Sequence, residues 1–154
     1  MQLSGYFTLE EATFSSTAAR LGIDNYPNAK QLSNMVQAAK KLDLLRSHVD
    51  KSIKVNSWLR TGPLNAAIPG SSKTSAHMDG WAIDCSASDI TPLELCRIAS
   101  DLYPEFDQII HEYGSWMHIS FDPKNRKQCL TIFKNNQGKR YIEGLLTQQE
   151  YTNI

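Results

Sequence analysis

The chain has 154 residues, of which 41% are hydrophobic and 21% charged, and its 16 lysines and arginines balance 16 aspartates and glutamates. That length suits one compact domain, expected over residues 1–154, with a real core. The even charge leaves no basic footprint for nucleic acid, and no apolar run approaches the length of a membrane span, so no stable membrane insertion is expected.

Taken in chain order, Thr8-Leu9-Glu10-Glu11 reads as a capping box that opens a short helix, with Gly22 and Asn25 ending it. After Pro27 a longer helix is predicted over residues 29–48. Its apolar residues Leu32, Met35, Val36, Ala39, Leu42, Leu45 and Val49 recur by threes and fours and form one buried stripe. Residues 53–58 read as a strand. A loop rich in turn residues is expected from Arg60 to Ala76, followed by a short strand over residues 81–85. Thr91-Pro92-Leu93-Glu94 opens another helix to about Tyr103, with proline tolerated in its first turn. Residues 108–112 and 116–121 read as a hairpin around Gly114, and residues 129–133 as a further strand. The polar tail after Asn135 has room for a last strand or a short helix. Helices early and strands mostly late predict an α+β fold with a small antiparallel-rich sheet and helices packed on one side.

The N-terminus, Met1-Gln2-Leu3-Ser4-Gly5-Tyr6-Phe7, has neither the charged start nor the apolar run of a secretory signal. Synthesis in the cytoplasm is therefore expected. Cys85, Cys96 and Cys129 are odd in number and make no CxxC pair, so they read as reduced and mostly buried. A monomer is the default oligomeric expectation.

The chemistry gathers in Ser75-Ala76-His77-Met78-Asp79-Gly80-Trp81-Ala82-Ile83-Asp84 and, further on, Trp116-Met117-His118. Two imidazoles and a carboxylate suit zinc (Zn2+), and three protein ligands leave a fourth position for water, as in catalytic zinc sites. His77 and Asp84 are seven apart, so one regular strand would aim them at opposite faces. An Asp79-Gly80 turn removes that conflict. If the later hairpin is centred near Ser115, Glu112 lies across from His118 and on the same face. It would be a carboxylate beside the metal, suited to taking a proton from a metal-bound water. Arg60 is a candidate to stabilise developing negative charge. Trp116 shares a strand face with His118 and would line the site, whereas His111 should face the other way. His48 fits a helix end.

In combination these motifs are familiar. Val55-Asn56-Ser57-Trp58-Leu59-Arg60-Thr61, then Leu64-Asn65, Gly70-Ser71-Ser72, Ser75-x-His77-x-x-Gly80-x-Ala82-x-Asp84 and Trp116-Met117-His118-Ile119-Ser120 resemble the D-alanyl-D-alanine carboxypeptidase-like zinc peptidases. That superfamily of LAS-type metallopeptidases includes VanY-like enzymes and many phage endolysins. The start, Phe7-Thr8-Leu9-Glu10-Glu11 with Gly22-Ile23-Asp24-Asn25, is similar to an endolysin-like branch. The resemblance implies a hedgehog/DD-peptidase-like fold and a peptidoglycan peptide as substrate. It implies His77, Asp84 and His118 as zinc ligands, Arg60 as the arginine that holds the substrate, and Ser75 as a substrate-binding serine. Several members carry an acid three residues before the last histidine, where this chain has Ser115; Glu112 is the nearest carboxylate and the expected general base. The family tyrosine before the arginine is replaced by Leu59.

The expected function is that of a zinc-dependent endopeptidase of endolysin type. It would cut an L-alanyl-D-glutamate or cross-bridge bond and reach the wall after release from the cell. D-Ala-D-Ala carboxypeptidase activity is the near alternative, and a non-catalytic zinc-bearing module that binds the cell wall is a different-class alternative. A glycosidase built on Asp84 and Glu112 would leave both motif histidines without a role.

Overall fold

The computed structural model describes residues 1–135 and 138–154; residues 136–137 of the polar tail lie outside the described residues. The chain is α+β, as its pattern predicts. It forms two compact units, Met1–Asp50 with Val55–Ile83, and Lys51–Lys54 with Asp84–Ile154. A six-stranded, mostly antiparallel sheet has the order β1 (Ile53–Ser57), β2 (Ala82–Ala87), β4 (Trp116–Ser120), β3 (Gln108–Glu112), β5 (Gln128–Ile132) and β8 (Ile142–Glu143). No helix of the described residues is long and apolar enough to cross a membrane.

In the first unit the expected short helix is two helices, α1 (Leu9–Thr13) and α2 (Ser16–Leu21). Thr8 and Glu11 form the capping box of α1. The break comes because Ser15 caps a second start, its hydroxyl accepting from the Ala18 N–H. Gly22, with φ of 66°, ends α2 in the left-handed region that glycine adopts without cost. Helix α3 (Ala29–Val49) begins with an Asn28–Gln31 capping box. It buries Met35, Ala38, Ala39, Leu42 and Leu45 on its inner stripe. Strand β1 (Ile53–Ser57) follows, its first two residues belonging to the other unit. The stretch read as a loop from Arg60 contains a helix, α4 (Gly62–Ala67). Gly62 and Pro63 read as turn residues, yet proline in a first helical turn gives up only an N–H that has no intrahelical partner.

In the second unit, β2 (Ala82–Ala87) has its first two residues in the other unit, and α5 (Pro92–Leu102) starts at the Thr91 cap. Strands β3 (Gln108–Glu112) and β4 (Trp116–Ser120) pair antiparallel, and β5 (Gln128–Ile132) pairs parallel to β3. The tail supplies β6 (Lys134–Asn135), β7 (Gly138–Lys139), β8 (Ile142–Glu143) and α6 (Gln148–Thr152). Helix α5 packs on β3 and β4, and the sheet face carrying Ile109, His111, Met117, Ile119 and Thr131 is buried. Alternation leaves Ile110, Glu112, Trp116 and His118 on the opposite face. Cys85 and Cys96 are fully buried, and burial pushes both thiols well above their usual titration range.

Candidate metal centre

His77 stands on a single 3-10 turn, Ala76–Asp79. Seven residues could not otherwise separate two donors that must converge, and Gly80 resolves this with φ of 81° and ψ of 5°. A Cβ at residue 80 would come within 2.6 Å of the Met35 Cγ and 3.0 Å of the Gln31 carbonyl oxygen, so helix α3 passes too close for a side chain.

Every carbonyl from residue 76 to residue 80 has a donor. The Ala76 oxygen accepts from the Trp81 N–H, and the His77 oxygen from the Arg60 N–H at 3.1 Å. The Met78 and Asp79 oxygens accept from the Gln31 Nε2 and Asn34 Nδ2 of α3, each at 2.9 Å. The Gly80 oxygen accepts from the buried Trp58 Nε1 at 2.9 Å. A short turn without a long helix's cooperativity is thus held rigid by side chains on two other segments. The His77 ring is fixed too: Nδ1 donates to the Trp58 carbonyl at 2.7 Å, which leaves the Nε2 lone pair as the donor atom.

Asp84 and His118 meet directly. His118 Nδ1 lies 2.9 Å from Asp84 Oδ1 and 3.6 Å from Glu112 Oε1. Nδ1 is therefore the atom of His118 that faces the acidic donors. Without an ion, a proton on that nitrogen bridges to Asp84; with one, the lone pair would point to the ion.

Candidate donor atoms of His77, Asp84 and His118 all lie within 4.8 Å of one another. A tetrahedral ion with bonds of about 2.0–2.2 Å needs its donors roughly 3.5 Å apart, so a small adjustment closes this group on a zinc ion. The three residues are 2%, 5% and 9% exposed. Burying two imidazoles and a carboxylate together is costly unless each is paired or ligating, which favours a cation at their centre. Two nitrogens and one oxygen are the donor set of an open zinc site rather than a closed cysteine-rich one.

A family model described as Peptidase M15 matches residues 5–120, three quarters of the chain and all three donors. The chain belongs to the M15 peptidases. A comparison with curated proteins finds no match. M15 peptidases are zinc-dependent, and the buried His-Asp-His group of this peptidase fits that requirement.

The remaining site residues fall as follows. Glu112 shares a face with His118, as expected, but the register is different: Glu112 pairs with Trp116, and His118 pairs with Ile110. The hairpin turns at Tyr113 and Gly114, both left-handed with φ of 57° and 63°, and the Ser115 N–H donates to the Glu112 carbonyl. The face is preserved because residues 110 and 112 are two apart. Half-buried Trp116 lies beside Glu112, with its ring edge-on to Tyr113. Arg60 is held by its Nε, which donates to the Ser57 hydroxyl at 3.1 Å, and by its backbone bond to the His77 carbonyl. The Ser75 hydroxyl accepts from the His77 N–H at 3.2 Å, so it caps the 3-10 turn. His111 faces away, edge-on to Phe133 and with Nδ1 on the Leu146 carbonyl.

Sequence reasoning missed the bracing residues. Asn25, read as a helix terminator, sends its amide to the carbonyls of Thr13 and Leu59 and accepts from the Thr61 N–H, clasping the backbone on both sides of Arg60. Trp58, buried in the core, is also a hydrogen-bond donor to the turn. A buried tryptophan must find a partner for its N–H, but nothing in the sequence says which carbonyl that is.

Proposed function

We propose that this M15 peptidase is a zinc-dependent peptidoglycan hydrolase of endolysin type. It cuts an amide bond in bacterial stem peptides, an L-alanyl-D-glutamate or cross-bridge bond, and acts on the wall after leaving the cell. The observation that carries the reading is the Glu112 carboxylate 3.6 Å from His118 Nδ1, beside the buried donor group but outside it. A ligand set alone would serve a binding module; a carboxylate poised next to it serves proton transfer.

His77, Asp84 and His118 would hold the ion. When bound, zinc supplies a water acidic enough to act as a nucleophile near neutral pH. Glu112 takes the proton onto a carboxylate oxygen as the carbonyl carbon is attacked, and returns it to the leaving amine nitrogen as the C–N bond breaks. Arg60 pairs with the substrate's carbonyl or carboxylate oxygens and stabilises the charge that develops. Ser75 keeps a hydroxyl proton to donate while its oxygen caps the turn. Trp116 gives the peptide an apolar surface next to the base.

Mass spectrometry of fragments released from purified peptidoglycan, with metal-free protein and with zinc added, tests this. Zinc-dependent release of new amino termini is expected, with fragment masses naming the bond. Free D-alanine alone would make it a D,D-carboxypeptidase. Glu112→Gln should retain one zinc per chain and lose activity by roughly 10²–10⁴-fold. A zinc-loaded wild type that releases nothing from several wall types would replace the peptidase reading with a binding module.

A further inference from the structure

The C-terminal segment brings a tyrosine to the same sheet face as Glu112. Strand β8 pairs antiparallel with β5, Leu130 opposite Glu143 and Thr131 opposite Ile142. One step further along that register, Tyr141 falls opposite Ile132. Ile132 in turn is the parallel partner of Glu112, and Glu112 the antiparallel partner of Trp116. Paired residues share a face, so Trp116, Glu112 and Ile132 form one row across β4, β3 and β5, and Tyr141, the residue just before β8, continues that row in register. Two strand spacings, about 10 Å, separate the backbones of Glu112 and Tyr141.

The position of Tyr141 is built rather than incidental. The buried Tyr151 hydroxyl lies 2.9 Å from the Phe133 carbonyl and 2.6 Å from the Arg140 carbonyl, donating between them. It clasps the two chains at the pair next to Ile132 and Tyr141. The Leu146 N–H and the Gly144 carbonyl are both held by the Thr131 hydroxyl, which fixes the other end of the segment. With its backbone pinned at both ends, Tyr141 is nevertheless 56% exposed. Its phenol is pushed up to about 12, first by desolvation and then by the negative charges of Glu112, Tyr113 and Asp84. The hydroxyl is therefore a neutral O–H donor near neutral pH.

Among the described residues this exposed, anchored phenol has no hydrogen-bond partner that would explain its position on the row of the candidate base Glu112. We infer that Tyr141 is a substrate-binding residue, its O–H donating a hydrogen bond to a backbone carbonyl oxygen of the peptide lying along the Trp116–Glu112 row. This rests on the peptidase reading above and adds the tail to the substrate-binding surface, beyond the span that the family model matches.

The test is Tyr141→Phe, which removes one oxygen and keeps the ring. An unpaired substrate carbonyl should raise KM roughly 3- to 10-fold with kcat nearly unchanged, because the bond is equal in ground and transition states. In parallel, calorimetry should measure a stem-peptide fragment binding to zinc-loaded Glu112→Gln and to the Glu112→Gln/Tyr141→Phe double variant. The same 3- to 10-fold weakening is expected, with zinc content and melting temperature unchanged. Equal KM and equal Kd would overturn the inference, as would a loss confined to kcat. If the wild type cleaves no wall, the peptidase reading fails, and the calorimetric ratio alone then upholds or overturns the role of Tyr141.

Discussion

Gly80→Ala isolates the demand that the candidate centre places on one backbone position. Two independent costs apply. Residue 80 has φ of 81°, where a Cβ costs about 1–2 kcal/mol. The new methyl would also sit 2.6 Å from the Cγ of the fully buried Met35 and 3.0 Å from the Gln31 carbonyl oxygen. The Met35 Cγ is not the free end of its side chain and the Gln31 oxygen is backbone, so neither yields easily; overpacking of this kind costs about 1–3 kcal/mol. Together they predict a destabilisation of about 2–5 kcal/mol. For a chain of this size that is a melting temperature lower by roughly 5–15 °C. Scanning calorimetry of the metal-free protein reads it, and zinc titration reads the second effect: displacement of the turn should weaken binding at His77. A shift smaller than about 2 °C with zinc affinity intact would refute the claim that the close approach of α3 fixes the turn.

Other expectations follow from the bracing and from burial. Asn25→Ala strips the amide from the Leu59 carbonyl and the Thr61 N–H, each worth about 1–3 kcal/mol when left unpaired. It should raise KM through Arg60 while zinc stoichiometry stays at wild-type level, and an unchanged KM would show that Arg60 needs no such clasp. Burial holds the His111 imidazole below its ordinary value. The unfolded chain therefore binds a proton first as the pH falls below about 6.5, and stability declines from there down to the lower folded value. His111→Asn keeps a donor for the Leu146 carbonyl and does not titrate. It should remove a slope of at most about 1.4 kcal/mol per pH unit between pH 7 and 5, measured by urea denaturation of zinc-loaded protein; equal slopes would assign the acid sensitivity elsewhere.

What the sequence disclosed follows from the range of the forces involved. The capping box at Thr8 marks the start of α1 but not its end at Thr13, whereas the Met35–Leu45 stripe and the alternation through β3 and β4 are local patterns that mark their elements within a residue or two. Helix α4 escaped because Gly62 and Pro63 signal a turn as readily as a helix start. The hairpin register slipped by two residues because two left-handed residues, Tyr113 and Gly114, make a tighter turn than one centred on Ser115 would. The seven-residue separation of His77 and Asp84 and the Asp79-Gly80 turn were legible for the same local reason. The braces were not: Gln31 and Asn34 lie more than forty residues before the carbonyls they hold, and no periodicity links them. Tyr141 stayed hidden because its row with Glu112 passes through Ile132, and that neighbour relation exists only in the sheet.

The buried cysteines give the fold a chemical property of their own. Cys85 follows Asp84 in β2 and, by alternation, points to the other face, and Cys96 lies in the α5 layer with no exposure at all. The thiolate is the form that attacks disulfides, reacts with oxidants and binds soft metals. Two thiols enclosed in apolar surroundings offer none of these while the core is shut. They carry no cost into an oxidising milieu and do not compete for an ion meant for nitrogen and oxygen. They also make a clock: a thiol-directed label reaches Cys85 and Cys96 only through openings of the core, so its rate of uptake measures how often this protein unfolds under native conditions.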